Sequence, residues 1–447
     1  MRRMWAVAAL LMAGAGVQAE VTVADRSRDA FSQPLPGLGA AELERFARGR
    51  ALFRQAWVIA PSRDEAVDGL GPLYNRITCV SCHARNGRGR APDGPDERMQ
   101  SMLLRLSVPG KDAHGGPRPH PLYGEQLNEE GVPGVPGEGR AAVSWREREV
   151  VLAGGEKVSL RSPRVALREL AYGEIGKVGG EVLSSLRVGP PVFGLGLLEA
   201  VPAQTLEGLA RQAKPDGVKG RVNRAWSVER RRLEAGRFGL KANQPDLRQQ
   251  VAGAMIGDLG ITSSLFPQPN CMPAQSACSQ APDGGRPELS DVQLDELEFY
   301  FAHLAVPARR DIADPAVQQG EALFGRLGCG NCHRPTLETG VHPRFPRLSG
   351  RTIAPYTDLL VHDMGAGLAD GRPDYAAGGR DWRTPPLWGI GLVESINEHS
   401  HFLHDGRARN LAEAILWHGG EAQTARDRYA RLPRAGREAV LAFLRSL

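Results

Sequence analysis

Long apolar runs are nearly missing from this chain. Beyond residues 4–17, nothing in its 447 residues approaches the roughly 20 apolar residues that cross a bilayer, so no membrane span is expected in the body of the protein. Basic tails are missing too. The formal net charge is only +5, with Arg2 and Arg3 supplying part of it, and no Lys/Arg cluster is placed to neutralise a phosphate backbone; nucleic acid is therefore not an expected partner. Cysteine is scarce, at six, and none lies near the end of the first apolar run, which argues against a lipid anchor. What that run does have is a basic start and a small-residue end, Val17-Gln18-Ala19. Residues 1–19 read as a signal peptide, and the mature protein is expected to be exported and soluble. The remaining length suggests two or three domains. The 54 glycines and 33 prolines fit helices joined by long irregular loops.

The six cysteines are distributed with purpose. Four form Cys79-Val-Ser-Cys82-His83 and Cys329-Gly-Asn-Cys332-His333, two copies of C-x-x-C-H. That spacing is the attachment signature of a c-type haem. Two thiols one turn apart can each add to a haem vinyl group, and the following imidazole then lies under the iron. The alternative is a structural zinc site built from four thiolates. It gives the two histidines no role, and the pairs lie about 250 residues apart rather than the usual 15–20. Two covalent haem c groups are the expected cofactors, with Cys79, Cys82, Cys329 and Cys332 as attachment points and His83 and His333 as iron ligands. Cys271 and Cys278 share one Pro/Ser-rich stretch. A local disulfide is expected there in an oxidising compartment, ahead of a reactive redox pair, because no basic residue flanks them to activate a thiol.

Further segments recur in pairs. Gly49-Arg-Ala-Leu-Phe53 precedes the first haem motif, as Gly320-Glu-Ala-Leu-Phe324 precedes the second. Pro190-Pro-Val-Phe-Gly194-Leu-Gly196-Leu-Leu-Glu199 follows the first, as Pro385-Pro-Leu-Trp-Gly389-Ile-Gly391-Leu-Val-Glu394 follows the second. The pattern predicts a mainly α protein of two cytochrome c-like haem domains with long loops: residues 20–310 with insertions and a few short strands, and residues 311–447 in compact form. In the first half 25 residues separate Phe53 from Cys79, against four between Phe324 and Cys329. Residues 87–139 are Gly/Pro/Arg-rich and are expected to make a surface excursion. Met102, Leu103, Leu104 and Leu106 suggest helix core, residues 143–170 suggest short strands, and residues 218–242 a hairpin. Helices are expected after Asn243-Gln-Pro245 and from Ser290.

A family resemblance rests on specific segments: Pro191-Val-Phe-Gly-Leu-Gly-Leu-Leu-Glu199, Lys241-Ala-Asn-Gln-Pro245, Arg248-Gln-Gln-Val-Ala-Gly253, Tyr356-Thr-Asp-Leu-Leu360, His362-Asp-Met-Gly365, Arg383-Thr-Pro-Pro-Leu-Trp-Gly-Ile-Gly391 and His404-Asp-Gly-Arg-Ala408. They resemble the di-haem oxidoreductase family of peroxidase-like proteins, also called thiol oxidoreductases. The C-terminal half is similar to bacterial di-haem cytochrome c peroxidases, which share the H-D-G-R loop, and more distantly to the di-haem enzymes that mature methylamine dehydrogenase. The resemblance implies a periplasmic enzyme with one electron-transfer and one peroxidatic haem. Such an enzyme would reduce peroxide with electrons from a small cytochrome or cupredoxin, passed from the C-terminal to the N-terminal haem. Two other readings stay open: a pure di-haem electron carrier, and a haem oxidase of a protein or sulfur substrate.

The sixth iron ligands separate these readings. Five methionines follow the signal: Met99, Met102, Met255, Met272 and Met364. Met364 lies in a Gly-rich loop 31 residues after His333 and is the expected sixth ligand of the second haem, with His362 as the alternative. For the first haem Met99, Met102, His114 and His120 lie at feasible distances and none stands out; Met255 fits helix core. His399, His401 and His404 form a tract that could take a metal, although a structural role beside the second haem suits it better, with Arg407 paired to Asp405 or a propionate. Trp388 is expected to pack on the second haem or in the core. Glu199 and Glu207 lie near where the related peroxidases carry a catalytic acid. Glu207 is the candidate here, and Glu199 reads as scaffold because Glu394 repeats it. The long insertions around the first haem mark it as the peroxidatic one.

Overall fold

The computed structural model describes residues 21–447, so the expected signal peptide lies outside the described residues. Two helix crossings organise it. Helix α1 (Ala40–Arg54) packs on a helix from Asp291 to Ala302, and a helix from Pro315 to Leu327 packs on one from Arg434 to Ser446. With the helix Leu247–Leu259 taken as α2, these are α3 (Asp291–Ala302), α4 (Pro315–Leu327) and α6 (Arg434–Ser446). A short α5 (Leu411–Leu416) precedes α6.

The duplicated Gly-x-Ala-Leu-Phe segments explain why the crossings match. A Cβ on Gly49 would collide with the backbone of Glu296 in α3, and one on Gly320 with the backbone of Ala439 in α6. Both glycines let two helix backbones touch. The Phe that ends each segment then enters the core: Phe53 packs on Tyr300 and Phe301, and Phe324 on Phe443. Sequence signals set the helix ends. Ser290 and Gln293 form a reciprocal cap at the start of α3, and Asp314 caps α4 with Pro315 in its first turn. Gly328, at φ +93°, stops α4 and passes the chain directly into Cys329.

The mainly α expectation is overturned. Helix accounts for 29% of the structure and strand for 20%, in many small antiparallel sheets. The difference lies in the insertions of the first half. Residues 102–106 are not helix core: Met102–Lys111 is strand β1, with Met102, Leu104 and Leu106 buried on one face while Leu103 and Arg105 face the other way. Period-two burial identifies the strand, and a run of four apolar residues within five positions hides it. A later strand, Leu183–Val188, pairs antiparallel with β1, Leu104 opposite Leu186. Residues 143–170 belong to one long hairpin, β2 (Arg140–Val151) with β3 (Lys157–Arg168), in register over their whole length; Leu183–Val188 is then β4. Nor is the 87–139 segment a mere surface excursion. Ala91, Met99, Met102, Leu104, Tyr123 and Leu127 build a second hydrophobic core with residues of β2 and β4. The expected hairpin within 218–242 forms at Arg224–Ser227 and Arg232–Ala235, and α2 follows Asp246.

The halves are tied together beyond their linker. Arg161 of β3 donates to the carbonyls of Arg407 and Gly406, Arg409 pairs with Glu147 at 3.0 Å, and the hairpin tip bonds through Ala153 N–H to Ala430 O. Residues 310–311, the expected domain boundary, fall between α3 and α4.

Candidate haem-binding cavity

Each C-x-x-C-H motif closes the same short turn. The amides of Cys82 and His83 donate to Cys79 O at 3.2 and 3.0 Å, and those of Cys332 and His333 donate to Cys329 O at 3.4 and 2.9 Å. The turns set all four thiols and both imidazoles on the wall of one cavity of about 780 Å³. The four thiols are free. Burial pushes those of Cys79, Cys82 and Cys329 up to about 12, so without a metal they are uncharged at neutral pH. Among the described residues no three His, Cys, Asp or Glu side chains converge on an ion site, which leaves the zinc alternative without a place.

Both imidazoles are prepared as metal ligands. His83 Nδ1 donates to Pro190 O at 2.7 Å and His333 Nδ1 to Tyr356 O at 3.0 Å, so in each ring Nε2 keeps its lone pair. Burial lowers the pKa of His83 and takes that of His333 down to about 4, which keeps both neutral. A third ring lines the same cavity. His418 lies with its ring centroid 6.4 Å from that of His333, and its Nδ1 donates to Ala414 O at 2.7 Å.

The rest of the wall suits a large apolar ring with acidic edges. Arg88 and Arg383 line the cavity and donate to backbone carbonyls, those of His401 and Leu403 for Arg88 and of Gly239 and Thr384 for Arg383. Neither has a carboxylate partner among the described residues, and burial draws both down to about 10. Two guanidinium groups on one cavity wall with no carboxylate partner suit a ligand that brings its own carboxylates. Thr78, Gln126, Asn243, Gln250 and Asn270 also line the cavity, each with a buried side-chain oxygen that has no hydrogen-bond partner among the described residues.

The recurring Pro-Pro segments lie where the two sites meet. Gly194 and Gly389 both adopt left-handed φ, +70° and +72°, at the starts of short helical turns. A Cβ on Gly194 would stand 2.5 Å from Trp388 Cζ2, and one on Gly389 would stand 2.6 Å from Phe193 Cζ. Each segment thus seats its aromatic ring on the other's glycine. Trp388 and Phe193 both line the cavity, and Phe193 stacks on Phe31 at 4.4 Å.

A family model described as "Di-haem oxidoreductase, putative peroxidase" matches residues 11–447. The chain belongs to the di-haem oxidoreductase family. A search of curated proteins finds no match. Two haems are what the family's description requires, and two C-x-x-C-H turns on one cavity with unpaired arginines fit that demand.

Within this di-haem oxidoreductase the sequence candidates fall in different places. Met364 lines the cavity. It follows strand β5 (Val361–Asp363), which pairs with β6 (Asp381–Arg383). His362 is fully engaged: Nδ1 meets Glu421 at 2.7 Å and Nε2 meets Asp358 at 3.0 Å. Burial opposes its charge, yet the two carboxylates hold its pKa far above the ordinary value. Met255 and Met272 line the cavity, while Met99, Met102, His114 and His120 do not. Met99 and Met102 are buried in the second core, His120 bonds Ile175 O and Leu122 N, and His114 stacks on Trp226.

Glu207 lies outside the haem cavity. It pairs with Arg224 at 2.6 Å in a separate charged cleft, where Glu199 binds the amide of Leu247 and the imidazole of His342. The His tract does not converge. His399 meets Arg88 O, His401 meets the Ala91 amide, and His404 stacks on Trp382 at 3.6 Å beside the cavity. Arg407 pairs with Asp405 at 2.7 Å, and Cys271 is bonded to Cys278.

Sequence reasoning missed Arg88, Arg383, Gln250 and Glu125 as cavity residues. Each belongs to a loop, strand or helix face whose orientation toward the cavity is set by distant contacts. For Glu125 a local signal did exist, an acidic residue between the apolar positions Tyr123 and Leu127. Desolvation by the enclosing walls holds its carboxyl above the ordinary range against the pull of Arg372 and Arg105.

Proposed function

We propose that this protein is an exported c-type di-haem oxidoreductase that reduces peroxide, drawing electrons from a small cytochrome or cupredoxin. The single observation that carries the reading is the cavity shared by both C-x-x-C-H turns, with four free thiols and two neutral imidazoles on its wall. Cys79 and Cys82 hold one haem by thioether bonds, and Cys329 and Cys332 hold the other. His83 and His333 would bind the irons through their free Nε2 atoms, and Arg88 and Arg383 would take propionates. When bound, the haems supply one-electron redox chemistry and an iron site for peroxide. The Cys271–Cys278 bond supports an oxidising compartment such as the periplasm.

The His83 site is the peroxide site in this reading. Its wall is built from the first-half insertions and α2, with Gln126, Asn243 and Gln250 among the polar residues that line it. Glu125 and Asp258 both line this cavity, and we assign to Glu125 the transfer of a proton from one peroxide oxygen to the other, since Glu207 lies in the other cleft. Trp388 and Phe193, each seated on the other segment's glycine, would lie between two haems bound at these motifs and hold the two sites together.

The test is a half-reduced holoprotein mixed rapidly with peroxide, followed by turnover with reduced cytochrome. Peroxide consumption at the His83 haem is the expected result. Two irons that stay six-coordinate and inert to both peroxide and cyanide would make the protein an electron carrier instead.

A further inference from the structure

We infer that His418 is the sixth ligand of the haem carried by the Cys329–His333 motif, giving that iron two imidazoles and displacing Met364 from the role. The inference rests on the proposal that a haem is bound at this motif, and it names the ligand on the other face. The His333 and His418 ring centroids are 6.4 Å apart. A metal–imidazole bond of about 2.0–2.1 Å, with about 1.1 Å from the ligating nitrogen to the ring centre, puts two rings on opposite sides of one metal at about 6.3 Å. Edge contacts between rings reach the same separation, as Phe324 and His333 at 6.3 Å show, so the distance admits a metal between the two imidazoles and their free nitrogens carry the assignment.

The hydrogen bonds point the same way. His418 Nδ1 donates to Ala414 O, one turn back in α5, just as His333 Nδ1 donates to Tyr356 O. Each ring therefore presents Nε2 as its free nitrogen, and neither Nε2 has a hydrogen-bond partner among the described residues. Buried imidazoles usually satisfy both nitrogens, and His362 nearby does so with two carboxylates. Two that leave the same atom unsatisfied on one cavity wall are set for a shared metal.

Met364 has a different part in this arrangement. Its carbonyl oxygen would lie 2.9 Å from a Cβ on Gly419, and a Cβ on Gly365 would lie 2.7 Å from Gly420 N. The Met364-Gly365 backbone is thus pressed against the Gly419-Gly420 turn that directly follows His418. Glu421 completes the clamp by accepting from the amides of Lys219 and Gly220 and by bonding His362. The Met364-Gly365 backbone, not the thioether, positions the His418 turn. Methionine ligation raises a haem potential, so a second imidazole in its place makes this iron the better electron donor and closes it to peroxide.

The experiment is spectroscopy on the holoprotein, read separately from activity. Near-infrared magnetic circular dichroism of the oxidised parent should show a bis-imidazole low-spin haem and no methionine–iron charge-transfer band. His418→Ala should turn one haem high-spin and open to cyanide, added imidazole should restore it, and His418→Met should create the methionine band. Met364→Leu should leave the spectrum of that haem unchanged. A methionine band in the parent that Met364→Leu abolishes would overturn the assignment, even if the His418 variants fail to fold. Loss of haem from the second motif altogether, seen as one haem by intact mass, would instead defeat the proposed function on which it rests.

Discussion

Glu125 illustrates chemistry at the scale of one residue. Its side chain is open to the cavity, and desolvation by the enclosing walls holds its carboxyl above the ordinary range, so it ionises at higher pH than a glutamate in open water. A proton relay needs the carboxylate to accept before it donates. The peroxide rate is therefore expected to fall as pH drops through this raised pKa, and Glu125→Gln should lower the rate about 10²-fold or more and flatten that limb. Stopped-flow pH profiles check this, with Glu207→Gln expected to stay within about twofold of the parent. Asp405 gives the opposite sign for stability. Burial works against its charge, but the neighbouring His404 and Arg407 hold its carboxyl at about 2, below the ordinary 3.8. Its contribution is complete above about pH 4 and is lost as pH falls through about 2. Asp405→Ala strands the buried Arg407 and is expected to cost about 3–5 kcal/mol, measured by denaturant unfolding at neutral pH.

Among elements, the two helix crossings are the most exposed to test. Gly320 touches the α6 backbone at Ala439, and Gly49 touches α3 at Glu296. Gly320→Val should force α4 and α6 apart and lower stability by about 1–3 kcal/mol or more, seen as a lower midpoint in thermal unfolding. A β-branched residue at Gly325 of the same helix, which has open space around it, should cost no more than about 1 kcal/mol. The repeat behind the crossings was legible, because the Gly-x-Ala-Leu-Phe segment stands before each haem motif, but which helices it would cross was not. Nor was strand β1. Met102, Leu103, Leu104 and Leu106 carry no clear period, and only pairing with β4 decides that alternate residues face core and cavity.

For the whole molecule the question is whether the two halves act as separate bodies. The β2–β3 hairpin of the first half reaches the second through Arg161, Glu147 and Ala153, and Trp388 sits on Gly194 across the cavity. A single cooperative transition is expected, with haem absorbance and far-ultraviolet circular dichroism changing together. Two separated transitions would show independent halves. Intact-mass analysis of the exported protein should give a chain lacking residues 1–19 and carrying two haems, with Cys271 and Cys278 unlabelled by alkylation without reductant. No helix among the described residues is long and apolar enough to cross a membrane.

The sequence by itself determined the local chemistry: two C-x-x-C-H turns, the bonded pair Cys271 and Cys278, the capped helices and the internal duplication. Each depends on residues within a few positions of one another, where spacing and geometry are nearly the same thing. Tertiary structure decided everything that needed distant residues to meet. It gathered both haem motifs on one cavity and set Glu207 in a different cleft. It also engaged both nitrogens of His362 and carried His418, 85 residues beyond His333, to the imidazole facing it. No period or motif encodes such a meeting, because it is fixed by how helices and small sheets pack around the cavity.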